Sequence, residues 1–357
     1  MRILHTYCLN YNLGDHALGL GVKALLRNFL PVDLIAETNL QGTTFDDAFI
    51  KTVNDNYDLL VIGGGGIIHG RHWPNGWFWL IERERIKDLR IPFVVYGAGY
   101  NYFRGEQGIP ERGINHLRET AARASFFSVR NDGSRGRLAA QTGIEAREVP
   151  DPGFAVGLGR TYERPVADPY VLVQLAADKP EYRYGGVDGV TTFTENIRRV
   201  VEQLAGNRRV ILAPHVLADV GLCHSVAEGI RNATVWPFGS FAFDRTVEAV
   251  SYYKFADFVL AMRGHGQIIP LSFEVPVITL ANHDKNRGLV VELGLDDLCI
   301  DIGESHFVVR CMELCEQVDA FEGEIKKKIG VVNEELWAAT RDSMHDLRDA
   351  VVGAGTE

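Results

Sequence analysis

Short, almost wholly apolar runs alternate with amphipathic stretches along most of this chain, and that rhythm limits the fold more than any other feature. In the first half the apolar runs are residues 3–6, 33–37, 59–63, 93–97 and 126–130. Between them lie 17–29, 76–89, 112–123 and 133–142, with apolar residues at helical spacing. A strand that is apolar on both faces needs cover on both sides. The pattern therefore predicts βα units built on a parallel sheet.

The rhythm breaks at residues 149–154 and 162–169, which are rich in proline, glycine and charge. Such a stretch reads as an interdomain linker. Strands are then expected at 170–175, 209–213, 234–236, 258–262 and 277–280, and helices at 192–205, 218–231, 245–255 and 287–293. Residues 306–350 look helical throughout and are expected to pack on the sheet domains. At 357 residues the chain is too long for one ordinary domain. The expected division is an N-terminal α/β domain over 1–158, a C-terminal α/β domain over 165–305, and C-terminal helices over 306–357. The fold class is α/β: two doubly wound, Rossmann-like parallel-sheet domains facing a cleft, where open sheets bind ligands.

Hydrophobic residues make up 46% of the chain and charged residues 24%, the balance of a water-soluble globular protein. The formal net charge is −10, and no basic block offsets it, which argues against a nucleic-acid partner. The five cysteines form no CxxC pair and suit buried thiols in a reducing cytosol. No apolar stretch reaches the roughly 18 residues of a membrane span, and no signal core follows the start. The expectation is a cytoplasmic protein without a transmembrane segment; peripheral membrane contact is compatible with it. The eleven histidines form neither HxH nor HExxH, so no metal set is expected, and there is no GxSxG elbow.

Candidate chemistry sits where expected strands end. Met262-Arg263-Gly264-His265-Gly266 follows one strand and precedes a helical stretch over 267–273. A guanidinium beside helix-start amides suits an anion, and a histidine two residues on can move a proton. Asn12-Leu13-Gly14-Asp15 follows the first strand; Gly14 would allow a tight turn, and Asp15 is either a helix cap or a functional carboxylate. Gly63 to Gly66 would permit either a phosphate cradle, through Gly64, Gly65 and Gly66, or close packing. Gly97-Ala98-Gly99 keeps a neighbouring strand end clear, with Tyr100, Asn101, Tyr102 and Arg104, and His69, Arg71, His72 and Trp73, as candidate lining. Arg130 would bind a carboxylate or phosphate, or pair with Asp132 or Asp151. Pro214-His215, with Asp219, ends a strand of the second domain, as a ligand contact or a capping histidine.

In their order and spacing these segments resemble the polysaccharide pyruvyltransferase family. The residues that carry the resemblance are Asn12-Leu13-Gly14-Asp15, Leu60-Val61-Ile62-Gly63-Gly64-Gly65, Ser128-Val129-Arg130, Pro150-Asp151-Pro152, Pro214-His215, Met262-Arg263-Gly264-His265, Val275 to Leu280, and Lys285. The resemblance covers about residues 1–300. It implies a two-domain, glycosyltransferase-B-like fold with the acceptor on the N-terminal side and the donor on the C-terminal side. It also implies transfer of pyruvate from phosphoenolpyruvate to two hydroxyls of a sugar, giving a cyclic ketal and phosphate without a cofactor. Arg263 and His265 would then contact the donor, with Gly264, His215 and Lys285 beside them and Arg130 reaching in from the other domain. His265 would be the principal acid/base, with Asp15 assisting an acceptor that is a sugar, oligosaccharide or lipid-linked glycan. Asn12, Gly64 to Gly66, Tyr100 and Asn101 would line the acceptor side. One departure stands out: the family's motif is usually arginine, a bulky apolar residue, then histidine, and here Gly264 takes the middle place.

Two other readings fit the same architecture. A nucleotide-sugar glycosyltransferase would bind a diphosphate at the second-domain site and use Glu292 on the ribose. A non-catalytic glycan-binding protein would keep the fold but has no need for both Arg263 and His265. The aromatic and charged stretches 70–79, 100–113 and 178–190 are sugar platforms under any of these readings.

Overall fold

The computed structural model describes residues 1–10, 12–70, 73–101, 108–237, 245–282 and 284–353, with the side chains of Asp284 and Lys285 left aside. These residues form two compact units. The first comprises Met1–Asn10, Leu18–Leu158 and Leu336–Glu357, and the second Tyr11–Ala17 and Gly159–Glu335.

The first unit is built on β1 (Arg2–Tyr7), α1 (Leu13–Phe29), β2 (Leu34–Asn39), α2 (Asp47–Asn56), β3 (Leu59–Ile62), β4 (Gly65–Ile68), β5 (Phe93–Tyr100), α3 (Glu111–Arg123), β6 (Phe126–Arg130), α4 (Ser134–Thr142) and β7 (Arg147–Val149). The strands lie in the order β2-β1-β3-β5-β6-β7, all parallel, with β4 paired to β5. Alternate strand residues go to opposite faces. Leu4, Leu60, Ile62 and Val95 pack with Ile50 and Val53 of α2, Leu117 of α3 and Leu138 of α4. Ile3, Leu59, Val61 and Val94 pack instead with Leu18, Val22 and Leu25 of α1, and with Met344, Leu347 and Val351 near the chain's end. Each fully buried leucine or valine stabilises the fold by about 1.5–3 kcal/mol before entropy is counted.

The second unit contains β8 (Tyr170–Gln174), α5 (Pro180–Tyr184), α6 (Val187–Ala205), β9 (Arg209–Leu212), α7 (Leu217–Ala227), β10 (Ala233–Val235), α8 (Thr246–Lys254), β11 (Val259–Ala261), α9 (Gly264–Leu271), β12 (Val277–Ala281), α10 (Asp284–Glu292), β13 (Cys299–Asp301), α11 (Phe307–Ala320) and α12 (Glu322–Val352). Its sheet runs β10-β9-β8-β11-β12-β13, again all parallel. One face carries Val171, Val173, Leu260 and Ile278 against α6, α7 and α11. The chain thus forms two doubly wound parallel sheets, as the rhythm of the sequence requires.

Several local expectations are corrected. Residues 76–89 form no α-helix, only a 3-10 turn over Arg83–Asp88. Trp77, Trp79, Ile81 and Ile86 are all buried there, so no single helical face would serve them. Asn75, itself buried, donates to the carbonyls of Trp79 at 3.0 Å and Ile81 at 2.8 Å and so ties the segment into a loop. The stretch 149–154 is not a loose linker. It closes β7 and then enters a buried 3-10 turn, Pro152–Ala155, which Asp151 caps by accepting from Gly153 N at 2.8 Å. After the excursion at 11–17, the chain next leaves the first unit after Leu158. Of the helices expected to pack on the sheet domains, α11 and the start of α12 group with the second unit, and the end of α12 with the first. The short elements α2, β4, β7, α5 and β13 fall in stretches where no element was expected.

The five cysteines are free thiols. No helix among the described residues is long and apolar enough to cross a membrane.

Two wholly enclosed histidines set an acid limit on the first unit. His5 donates from Nε2 to the Gly63 carbonyl, and His116 accepts from Trp77 Nε1 at 3.0 Å and donates to the Ile81 carbonyl at 3.0 Å. Burial brings both from an ordinary 6.5 down to about 4, against the pull of their carbonyl partners. Between pH 6.5 and about 4 the unfolded chain takes up protons that the folded chain refuses. Stability is therefore present above that window and falls as the pH drops through it, by up to about 3 kcal/mol per histidine. Thermal melts from pH 7.5 to 4.5 should show the midpoint falling steeply below 6.5; a flat profile would contradict the two neutral imidazoles.

Candidate active site

The direction of strand progression in the second sheet reverses at the β8–β11 pair, the place where an open parallel sheet leaves a crevice at its carboxyl ends. Gln174 closes β8 and is completely buried. Its Oε1 accepts the backbone N–H of Arg263 at 2.8 Å and of Met262 at 3.2 Å, so a β8 side chain fixes the path of the chain leaving β11. Gly266 lies on that same oxygen: a Cβ there would sit 2.8 Å from it. α9 begins at Gly264 with Arg263 as its N-cap and no capping side chain. Its first-turn amides and the positive end of its dipole are thus open to an anion. A Cβ on Gly264 would meet no described atom within 4 Å. The two glycines flanking His265 therefore serve differently: Gly266 makes room for Gln174, and Gly264 leaves the helix start uncovered.

Arg263 sits in a buried charge cluster. Its Nε donates to Asp219 Oδ2 at 3.0 Å, and its Nη2 to Asp219 Oδ1 at 2.6 Å and to Asp178. Asp219 has no exposed side-chain surface and also accepts the backbone N–H groups of Ala177, His215 and Val216 at 2.9, 3.1 and 3.1 Å. Asp178 is shared with Arg183 at 3.2 Å, so two arginines and two aspartates balance. Burial works against the Arg263 charge, but Asp219 and then Asp178 outweigh it and raise its pKa. Burial likewise works against the Asp178 carboxylate, and Arg263 and Arg183 hold it below its ordinary range. The Arg263 side chain keeps 13% of its surface exposed. Its Nε and Nη2 carry the hydrogen bonds to the aspartates.

His265 is half-buried in the first turn of α9, with its imidazole against Gly14. The start of α1 brings Gly14 there. Asn12 Oδ1 accepts from Gly14 N at 3.0 Å, Asn12 Nδ2 donates to Asp15 at 2.9 Å, and Leu13 N donates to the His215 carbonyl at 3.0 Å. This turn belongs by its contacts to the second unit. Asn12, Asp15, His215, Arg263, Gly264 and His265 are thus gathered in one place. Gly14 has helical backbone rather than the tight-turn geometry its sequence context suggested.

His215 is enclosed, and its Nε2 is hydrogen-bonded to the Tyr253 hydroxyl. Burial first, then the nearby charges of Arg263 and His265, pushes its pKa well below 6.5. Burial and then Asp219 push the Tyr253 phenol up. The pair is therefore neutral, and His215 meets its surroundings through hydrogen bonds rather than as a cation. Its Nδ1 is buried without a hydrogen-bond partner among the described residues. Lys285 lies in the first turn of α10, and its side chain is outside the described residues.

The remaining expected residues lie in the first unit, where three corrections apply. Arg130 is buried and donates to Asp132 at 2.7 Å and Asp151 at 2.9 Å. Those two carboxylates outweigh burial and raise its pKa, so the described partners of Arg130 are the two aspartates of its own unit. Tyr100 is buried with its hydroxyl on Gln141 at 2.9 Å, so it presents no ring to an acceptor. The tetraglycine serves packing. A Cβ on Gly63 would come within 2.7 Å of the Tyr96 carbonyl, on Gly64 within 3.0 Å of the Gly97 carbonyl, and on Gly66 within 2.1 Å of Asn101. Asn101 donates to the Gly66 carbonyl at 3.0 Å and bonds His69. Gly65 opens β4 with φ of +92°, a backbone state glycine permits. Arg71, His72, Tyr102 and Arg104 are outside the described residues. Among the described residues no group of three or more His, Cys, Asp or Glu side chains is placed to hold a metal.

Four members of the cluster escaped the sequence reading: Gln174, Asp178, Arg183 and Tyr253. Gln174 does leave a signal, a lone amide closing a strand that is otherwise apolar. Asp178 and Arg183 lie in the aromatic and charged stretch 178–190, read only as a sugar platform, and Tyr253 looks like any core aromatic.

This fold is shared with several solved structures. Anabaena Alr3699/HepE in complex with UDP is 11% identical with a TM-score of 0.58, over 99% of this chain and 100% of that one. A putative UDP-N-acetylglucosamine 2-epimerase from Listeria monocytogenes is 13% identical with a TM-score of 0.57, over 95% of each chain. UDP-GlcNAc 2-epimerase from Neisseria meningitidis, bound to UDP-GlcNAc, is 10% identical with a TM-score of 0.56, over 95% of this chain and 99% of that one. At such identities the likeness shows the fold alone, a glycosyltransferase-B-like pair of Rossmann-like domains. The chain belongs to the polysaccharide pyruvyl transferase family, whose pattern matches residues 12–284. No curated protein matches the sequence.

The charge cluster makes a clear stability prediction. Arg263→Ala strands the buried Asp219 carboxylate, while Asp178 is 32% exposed and keeps Arg183, and should cost about 3–5 kcal/mol; Arg263→Lys, which keeps a charge but not the fork, should cost less. His265→Ala should cost about 1 kcal/mol or less. Urea unfolding of the three variants measures the order, and an Arg263→Ala protein as stable as the parent would refute it.

Proposed function

We propose that this protein transfers pyruvate from phosphoenolpyruvate to two hydroxyls of a sugar or glycan, forming a pyruvate ketal and releasing phosphate. The observation that carries the reading is the placement of Arg263 and His265 at the uncovered start of α9, with Asn12 and Asp15 delivered beside them. The family supports pyruvate transfer as the reaction class.

The donor carries a phosphate and a carboxylate. One anionic group lies on the first-turn amides of α9 and the guanidinium of Arg263, whose charge is held in place by Asp219 and Asp178. The absence of a side chain at Gly264 lets the anion approach the helix start closely. With Arg130 paired to the two aspartates of its own unit, Arg263 is the arginine of the donor site. His265 then protonates the methylene carbon, and the electron-poor C2 takes the first hydroxyl. The bond from C2 to the phosphate oxygen breaks, and the second hydroxyl closes the ketal. The hydroxyls lose two protons in all: one ends on the methylene carbon, making it methyl, and the other leaves with phosphate. Asp15 orients an acceptor hydroxyl and draws its proton. Neutral His215 offers a hydrogen bond at a position where a cation would compete with Arg263. No cofactor enters this scheme, because the donor's own phosphate is the leaving group.

Phosphate release from phosphoenolpyruvate, screened against a panel of glycans, tests the reading. His265→Ala should lower turnover by about 10²–10⁴-fold in a folded protein. Arg263→Lys, the better-folded arginine variant, should raise the donor KM more than the acceptor KM. Competition by UDP but not by phosphoenolpyruvate would point instead to a nucleotide-sugar donor, and near-parental turnover by His265→Ala would remove that residue from the chemistry.

A further inference from the structure

Gly14 has no local reason to be glycine. It lies within the first turn of α1 with helical backbone, where glycine is about 0.8–1 kcal/mol less favourable than alanine. Asn12 already supplies the capping oxygen, at 3.0 Å from Gly14 N. The reason is steric and points to one residue. A Cβ on Gly14 would lie 2.5 Å from Nδ1, 2.8 Å from Cβ and 2.9 Å from Cγ of His265, its three nearest heavy atoms. Turning the imidazole about its own bonds would clear Nδ1 but not Cβ, which is fixed to the α9 backbone. That backbone is in turn anchored, because Gln174 holds Arg263 N at 2.8 Å and fills the space beside Gly266. The α1 turn is anchored as well, through Leu13 N on the His215 carbonyl at 3.0 Å. Both backbones are tethered, so a methyl group here is accommodated only by a small displacement that carries the imidazole with it.

We propose that Gly14 is a positioning residue for His265: its bare Cα is the wall on which the imidazole rests, and it sets where the ring stands at the start of α9. The inference rests on the reading of His265 as the acid/base group. It gives the first turn of α1 a catalytic purpose that Asn12 and Asp15 alone do not explain. A substituent at Gly14 moves the ring without touching its chemistry, so the loss appears in turnover rather than in folding.

The test uses Gly14→Ala in the full chain. As a control, Gly221→Ala changes a glycine of α7 whose added Cβ would meet nothing within 4 Å. Both variants should fold, and the control should keep parental kinetics. Gly14→Ala should lose about 10–100-fold in kcat, the scale expected for a reacting group misplaced by an ångström. Its donor KM should change little, and the limb of its pH–rate profile that belongs to His265 should move. The His265 ring resonances, assigned by their loss in His265→Ala, should shift in Gly14→Ala and stay put in the control. In the His265→Ala background the alanine at position 14 should have no further effect on kcat. Parental kcat together with unmoved ring resonances in folded Gly14→Ala would overturn the proposal, as would an equal loss with and without the imidazole. Should the parent protein release no phosphate from phosphoenolpyruvate with any glycan, the functional reading fails, while the resonance shift still decides whether Gly14 positions His265.

Discussion

The second unit depends on a guanidinium that must stay charged in a place where charge is costly. Arg263 is tied through two donors to Asp219, which has no exposed side-chain surface, and through one of them to Asp178 as well. Ion pairs removed from water seldom stabilise a protein more than apolar residues of the same volume would. This one is explained better by what it arranges than by its energy. Asp219 also takes three backbone N–H groups, and so couples the strand end at Ala177 and the turn at His215 to the arginine. The Arg263 guanidinium, the neutral histidine and the start of α9 are consequently parts of one hydrogen-bonded network.

The layer architecture was legible because it follows from burial. Strands covered on both faces are largely apolar, and β3, β8 and β12 announce themselves in that way. Less legible were elements whose character depends on a distant partner. The segment after β4 carries enough apolar residues for a helix, yet Asn75 and the buried Trp77 and Trp79 turn it into a packed loop. The Pro150-to-Phe154 stretch has the composition of a linker. It is buried because Asp151 satisfies the turn and because Gly21 and Gly97 make room for Pro152.

The candidate site was legible in part, for a related reason. Arg263, His265, Asn12 and Asp15 stand at strand ends, where topology delivers ligand-binding groups. The sequence does not say which charges are already matched. Arg130 and Arg263 look alike as strand-end arginines. One is 6% exposed between Asp132 and Asp151, and the other is 13% exposed between Asp178 and Asp219 at the start of a helix without a capping side chain. The glycines carry the same ambiguity. Gly63, Gly64 and Gly66 accommodate the first unit's own backbone and Asn101, whereas Gly264 faces no described atom within 4 Å. Only geometry separates a glycine that closes a gap from one that leaves a gap.

Neither unit is a continuous stretch of the sequence. The second borrows residues 11–17 from near the beginning, and the first takes back the end of α12. Cutting the polypeptide at the apparent junction near residue 158 would leave one half without its covering C-terminal helix and the other without the turn that seats His265. The halves cannot be shuffled as cassettes among related proteins, because a recombinant joined at that point would pair each imidazole with a foreign α1.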